Sequence, residues 1–440
     1  AGSGRRTIAA ALAARAGRTL GTIALAGPGA DSIDQLRRDL RDVHLRGWIA
    51  CVTDLDHAAA ADDTSRAALR ALLDRHPGPL FICAGTSSAL PIAAGHLSLE
   101  LPALPVAERV KAWTAALAAV HLPTTDAAVL AERYSVGPGA IHHAVAAAAL
   151  AGTPARTGET IDRVLRQQRA VRLGALASKV EHLASWDDLV LPDELLASVK
   201  ELVGRVRLRA QVLDGWGMQK VASTGRAVTA LLQGGPGTGK TLVAGVIARE
   251  LGYDLYRVDL SRVTSKWIGE TEKNLGELFD AADDGQCILL FDEADSLFGK
   301  RTEVKSSNDR HANLEVNYLL QRLDAFEGVA ILTTNFGTAI DPAFKRRLSA
   351  HLQFPFPDEA ERERLWRAHL PASLPVAGDL DLPALARKYA LSGGYIRNAA
   401  LRAAFLAAGE RTPLTAEHLR RAVVAEYRDR GKVATTGPLE

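Results

Sequence analysis

Gly234 to Thr241 read G-G-P-G-T-G-K-T, and Cys287 to Asp295 read C-I-L-L-F-D-E-A-D. Glycines at these spacings let a chain turn so tightly that consecutive backbone N–H groups converge on phosphate oxygens at the start of a helix, where the helix dipole also favours an anion. Gly235, Pro236, Gly237, Thr238, Gly239, Lys240, Thr241 and Leu242 are therefore a candidate phosphate cradle, with Lys240 reaching the β- and γ-phosphates and the Thr241 hydroxyl facing Mg²⁺. Asp292 would complete the metal shell, and Glu293 would polarise an attacking water. Together the two motifs predict Mg²⁺-dependent hydrolysis of ATP to ADP and phosphate.

Such residues need a particular scaffold. Ala230-Leu231-Leu232 is a short apolar run suited to a buried strand, and apolar residues from Leu242 to Leu251 recur at helical spacing. The run Cys287 to Phe291 suits a central parallel strand, which would deliver Asp292 and Glu293 at its carboxyl end, where α/β sheets bind ligands. Ile331-Leu332-Thr333-Thr334-Asn335 reads as a β-branched strand that ends on an amide. The expected fold class is α/β. The apolar trio Leu189, Val190 and Leu191 suits packing against an adenine ring, and equally suits an ordinary strand or linker in a core.

With 440 residues, two or three domains are expected, and the apolar fraction of 47% with 24% charged residues is that of a globular protein. A formal net charge of +2 gives no general electrostatic reason to expect nucleic acid or an acidic membrane as partner. No apolar run is long enough to span a bilayer and the start is not a signal peptide, so a cytoplasmic chain is expected. Cys51, Cys83 and Cys287 form no C-x-x-C and sit in apolar strand-like runs, as small core residues of a reducing compartment do.

The chain also repeats itself. Ala107-Glu108-Arg109 and Trp113 recur as Ala360-Glu361-Arg362 and Trp366, and Glu132-Arg133-Tyr134 with Gly139-Ala140-Ile141 recur in pattern as Arg387-Lys388-Tyr389 with Gly394-Tyr395-Ile396. Upstream, Gly4-Arg5-Arg6 lies over Gly239-Lys240-Thr241. Gly47 to Asp56 lies over Gly285 to Ala294, with Asp54 over Asp292 and Leu55 over Glu293. The first copy thus lacks the metal-binding hydroxyl and the water-polarising carboxylate, and has Thr86 near the place of Asn335. It is expected not to hydrolyse ATP. The chain opens on Ala1, and the strand that should precede its first loop is missing, so further residues are expected upstream.

These motifs resemble the AAA+ ATPase family, and within it the AAA branch of protein remodellers typified by katanin and spastin. The likeness is strong over residues 186 to about 430 and weak over 1 to about 172. It implies two tandem AAA+ modules, each a parallel P-loop sheet sandwich with a C-terminal helical lid. Residues 1–172 would be the degenerate module, 173–185 a linker, 186–350 the catalytic large subdomain, 351–432 its helical lid and 433–440 a tail. Asn335 matches the family's first sensor. Arg346 and Arg347 match the arginine fingers that act on a neighbouring subunit's nucleotide, which implies a homo-oligomeric, hexameric ring by likeness to the family; Arg397 matches the second sensor, which katanin and spastin relatives usually lack.

Lys266, Trp267, Ile268 and Gly269 resemble the pore loop with which these rings grip a polypeptide, a flat side chain beside a permissive glycine. The polar loop from Phe298 to His311 fits either a second pore loop or a solvated connection. The stretches F-G-K-R-T-E-V-K, L-T-T-N-F and F-P-F-P-D resemble bacterial AAA+ proteins encoded with contractile injection systems, whose components are then candidate partners. The function implied is an ATP-driven ring that remodels, unfolds or disassembles a protein substrate. A nucleotide-dependent assembly scaffold and a nucleic-acid motor or loader are the alternatives; Trp267 and the balanced charge count against nucleic acid. The pair His142-His143 has no further metal ligands at suitable spacing.

Overall fold

The structure, a computed structural model, describes residues 4–25, 27, 30–55, 63–84, 92, 95–102, 104–151, 157–220, 226–263, 270–283, 286–295, 317–335, 345, 347–429 and 431. Two compact units divide between Leu165 and Arg166.

In the first unit three strands, β1 (Leu20–Ala24), β2 (Ile49–Thr53) and β3 (Leu80–Ile82), form a parallel sheet in that order. Helices α1 (Arg5–Arg15), α2 (Ala30–Leu45) and α3 (Asp63–Asp74) accompany it. A separate apolar cluster gathers α4 (Val106–Ala119), α5 (Ala127–Arg133), α6 (Pro138–Leu150) and the start of α7 (Thr157–Leu173) around Trp113 and Tyr134.

In the second unit six strands run in the order β4-β6-β7-β8-β5-β9: β4 (Ala177–Lys179), β5 (Val228–Gly234), β6 (Asp254–Val258), β7 (Cys287–Phe291), β8 (Val329–Thr334) and β9 (Ala350–Phe354). All neighbours are parallel except β4, which is antiparallel to β6. Strand β7 is apolar and buried at every position, and β5 and β8 are apolar over most of their length, because both faces of the sheet are covered. Ala230, Leu232, Ile288, Leu290 and Ile331 face one apolar cluster; Leu231, Leu289, Phe291, Ala330 and Leu332 face the other. Helix α8 (Asp193–Arg207) joins the first cluster through Leu195, Val199, Leu202, Val203 and Val206, a stripe at helical spacing, together with α9 (Lys240–Leu251). Helix α10 (Glu270–Ala282) and the helical stretch 317–325 cover the other face.

Two boundaries differ from the sequence expectation. Residues 173–185, read as a linker, supply strand β4, and the last part of α7 belongs to the same unit. The physical reason is Asp254, which is 4% exposed and whose carboxylate is met by Arg166 at 2.9 Å, Lys179 at 3.1 Å and the fully buried Arg169 at 3.5 Å. A buried charge is tolerated only when paired in this way. Residues 351–354, read as the start of a helical region, lie in β9, which pairs with β5 from Ala350 to Phe354. The helices follow only after Asp358, whose side chain and that of Glu361 form a reciprocal cap at 2.7 and 2.9 Å.

Those helices are α11 (Glu359–His369), α12 (Leu382–Lys388), α13 (Gly393–Glu410) and α14 (Ala416–Asp429), and they bury Trp366, Leu385, Tyr389, Ile396 and Leu419 in a core of their own. The repeat seen in the sequence reappears here in side-chain detail. Arg362 donates through Nε to the Ala386 carbonyl and through Nη1 to that of Pro357, both at 2.7 Å. Arg109 does the same in the first unit, to Ala131 at 3.0 Å and Leu104 at 2.6 Å. Trp113 and Trp366 are both fully buried, as is Tyr134, and Tyr389 is 2% exposed.

In both units a glycine, Gly4 or Gly239, takes the same left-handed conformation, φ 83° and 96°, immediately before α1 and α9. That places Arg5 with Lys240, as expected. The structure shifts the register of the second motif by one residue. Asp54 (φ 60°) and Glu293 (φ 53°) are both left-handed and exposed, and each is followed by a buried residue, Leu55 or Ala294. The counterpart of Glu293 is therefore Asp54, not Leu55, and that of Asp292 is Thr53. The first unit keeps a carboxylate at the strand end and has lost the one beside it. Among the described residues, no helix is long and apolar enough to cross a membrane.

Candidate nucleotide site

Strand β5 ends at Gly234 between β8 and β9, and the glycine loop carries the chain from there into α9. Gly237 and Gly239 have φ of 73° and 96°, which a residue with a Cβ adopts only with strain. Gly239 caps α9 without a side chain, so the first N–H groups of the helix stay available to an anion.

The motifs that the sequence singled out converge here. The Lys240 ammonium is buried and donates to the carbonyls of Gly234 (2.7 Å) and Gly235 (2.8 Å) and to Asn335 Oδ1 (2.9 Å), which uses its three protons. Burial pulls its pKa down, and the carboxylates of Asp292, Asp295 and Glu293 pull it back up. The Thr241 hydroxyl donates to Asp292 at 3.1 Å. A hydroxyl in contact with a carboxylate is a pair of hard oxygen donors, the kind that Mg²⁺ takes alongside substrate phosphates, so these residues fit that ion. Among the described residues, no group of three or more His, Cys, Asp or Glu forms an alternative metal centre.

Glu293 is exposed at the mouth of the site, and its backbone N–H donates to the Thr333 hydroxyl. Asp295 steadies the neighbouring strand end by accepting from the Thr334 hydroxyl and the Asn335 N–H. Lys240, Thr241, Asp292, Glu293, Thr333 and Asn335 open onto a cleft of about 830 Å³, a size suited to a nucleotide. Leu189 and Val190 line it, and Leu189 also packs on the sheet's core.

The helical region closes the other side of the cleft. Gly394 N–H donates to the Gly237 carbonyl at 2.9 Å and Ser392 Oγ to that of Pro236 at 3.0 Å. The approach is so close that a Cβ on Gly394 would stand 3.0 Å from the Gly237 Cα. Arg397 lines the same cleft one helical turn further along α13. Beside it, burial and then the Arg397 charge push the pKa of His369 down, which favours a neutral imidazole.

Not every expected residue is in the cleft. Arg347 is exposed and pairs with Asp324 at 3.2 Å, away from the cleft lining. Arg346, Lys266, Trp267, Ile268, Gly269, Thr86 and the Phe298–His311 loop lie outside the described residues. Conversely, the sequence reading missed Arg257, 3.4 Å from Asp292, as well as Thr333, Asp295 and His369. Asp295 lies within the second motif and was in that sense visible. Thr333 likewise lies within the 331–335 stretch, whereas Arg257 and His369 carry no local signal, since their partners are remote in the chain.

Residues 230–356 match the family model for the ATPase family associated with various cellular activities (AAA), and residues 358–428 match that for the contractile injection system ATPase helical domain. Over 164 residues the chain is 36% identical to the 26S proteasome regulatory subunit 10B of Dictyostelium discoideum, covering 36% of this chain and 42% of that protein. It is 39% identical over 166 residues to the cell division cycle protein 48 homolog of Archaeoglobus fulgidus, covering 36% of this chain and 22% of that one. With the proteasome-activating nucleotidase of Methanopyrus kandleri the identity is 29% over 231 residues, 51% of each chain. The chain thus spans about half or less of these relatives. Two adjoining matches, meeting where the sheet gives way to helices, identify an AAA ATPase domain followed by a contractile injection system ATPase helical domain.

Proposed function

We propose that this protein is an ATP-hydrolysing motor with one working site per chain, built on the second unit, which remodels a protein substrate. The observation that carries the reading is that three separate stretches of sequence meet at one cleft, Lys240 bonding Asn335 at 2.9 Å and the adjacent Thr241 bonding Asp292 at 3.1 Å. In this reading the loop N–H groups and Lys240 bind the phosphates, and Leu189 and Val190 pack against the base. Mg²⁺, held by Thr241 and Asp292, would supply positive charge against the β- and γ-phosphates. Glu293 takes a proton from the attacking water, Asn335 orients that water, and Arg397 stabilises charge on the γ-phosphate from the helical lid.

The lid reading draws on the contact of Gly394 with Gly237, through which rearrangement at the phosphate loop would reach α13. The shared guanidinium bridges of Arg109 and Arg362 support two tandem modules, the first without the full acidic pair and so inactive. Arg347 stands outside its own cleft, as a residue acting on the next subunit of a ring would, and Arg346 would act with it. Lys266, Trp267, Ile268 and Gly269 would grip the polypeptide in the pore of a homo-hexamer, and components of a contractile injection system are the partners that the helical domain suggests.

The shared-site arrangement has a direct test. Arg347→Ala and Glu293→Gln chains are each expected to be inactive alone. Mixed, they should regain part of the hydrolysis, because an intact Glu293 site then meets an intact arginine on its neighbour. No recovery in mixtures that demonstrably co-assemble would overturn the shared site.

A further inference from the structure

We propose that Thr333 is a positioning residue for hydrolysis, its single hydroxyl fixing the metal-site carboxylate of Asp292 and the backbone of Glu293 together. The proposal rests on the ATPase reading above. Thr333 lies on β8 and is 1% exposed. Its Oγ1 donates to Asp292 Oδ1 at 2.7 Å and accepts the Glu293 N–H at 2.9 Å. The register explains the meeting: Phe291 on β7 is opposite Leu332 on β8, so the next residue of each strand continues the pair.

Both ends of this hydroxyl do something that a methyl cannot. Asp292 Oδ1 already takes a bond from Thr241 at 3.1 Å, and Arg257 stands 3.4 Å from the other oxygen. Without the Thr333 proton, no hydrogen bond from β8 among the described residues holds the carboxylate against rotation toward Arg257. Glu293 sits in the left-handed region at φ 53°, a strained place for a residue with a side chain, and persists there only if its surroundings fix it. Two bonds to Thr333 do so: Glu293 N–H to the hydroxyl, and Ala294 N–H to the carbonyl at 2.9 Å. Only the first depends on the side chain. Thr334 also donates a hydroxyl to the motif, but to Asp295, so it cannot substitute.

A purely structural role predicts that a β-branched apolar residue would serve as well, and Thr333→Val tests that. Thr333→Val and the smaller Thr333→Ala, which covers the case in which Val packs poorly, should each lower kcat about 10- to 100-fold, the usual effect of removing a partner of a metal ligand. KM for ATP in Mg²⁺ should rise no further than the Mg²⁺-dependent tightening that is lost, because the loop that binds the phosphates is untouched, and Thr333→Ser should recover kcat to within about threefold of wild type. A second readout does not use turnover. A fluorescent ADP analogue should bind wild type and Thr333→Val alike in EDTA, while the tightening that Mg²⁺ gives wild type should shrink in Thr333→Val. Wild-type kcat in Thr333→Val and Thr333→Ala, or a Ser variant as slow as Val with unchanged Mg²⁺ linkage, overturns the role of Thr333 alone. Absence of Mg²⁺-dependent hydrolysis in wild type overturns the ATPase reading itself, and this proposal with it.

Discussion

Glu293→Gln is expected to lower ATP turnover by about 10²- to 10⁴-fold, the range lost when a general base is removed, with ATP affinity changed by no more than a few-fold. The substitution keeps the side chain's shape and the backbone N–H that Thr333 accepts, so the left-handed turn after Asp292 should survive. What is lost is the ability to take a proton. Because Glu293 is exposed at the mouth of the cleft and makes no bond to the phosphate loop, binding should not depend on it. Phosphate release and equilibrium binding of a fluorescent ATP analogue, measured on the same preparation, separate the two effects. Equal losses in both would mean that Glu293 holds the site together and is not its base.

Trp366→Ala should destabilise the C-terminal helices by about 3–5 kcal/mol, the cost of emptying a large buried aromatic site. Trp366 is fully buried among Leu385, Tyr389, Ile396 and Leu419, and its indole N–H has no hydrogen-bond partner among the described residues. Shape alone therefore fixes it there. Trp366→Phe, which retains much of the ring and removes the unpaired N–H, should cost distinctly less. Hydrogen exchange across residues 359–429 would report the difference, with protection in β5 and β8 preserved in both variants. The same loosening should raise KM for ATP, since α13 contributes Gly394 to the phosphate loop and Arg397 to the cleft. If Phe and Ala prove equally damaging, packing is not what holds this core.

How much of this could be read in the sequence depended on where the partners lie. The phosphate loop and β7 were legible because their chemistry is local. Glycines at fixed offsets dictate the turn, and a run of apolar residues before two carboxylates dictates a buried strand that ends at a site. Lys240, Asn335 and Asp292 were expected together and stand together.

The arginines of α7 were not legible, because Asp254, the buried charge that draws Arg166, Arg169 and Lys179 to it, is remote in the chain. The sequence reading left Arg166 and Arg169 in the first module, residues 1–172, and Lys179 in the linker 173–185. Strand β9 was hidden for a similar reason: A-H-L-Q-F alternates buried and exposed residues at the sheet's edge, a weak signal beside a helical region. The slip in the first unit has another cause. Matching letters put Asp54 over Asp292, whereas the left-handed turn, which no letter records, puts it over Glu293. Thr333 was passed over because a β-branched residue in a strand already has a sufficient explanation in its propensity, and only the two bonds of its hydroxyl reveal another.

The central claim is that this chain turns over ATP at the cleft between the phosphate loop and α13. Its most direct test is steady-state phosphate release by the purified chain in Mg²⁺, beside the Lys240→Ala variant. Wild type should release phosphate over many turnovers, and Lys240→Ala, without the ammonium that meets the loop and Asn335, should fall to background. Undiminished release by Lys240→Ala, or none by a folded and assembled wild type, would contradict it.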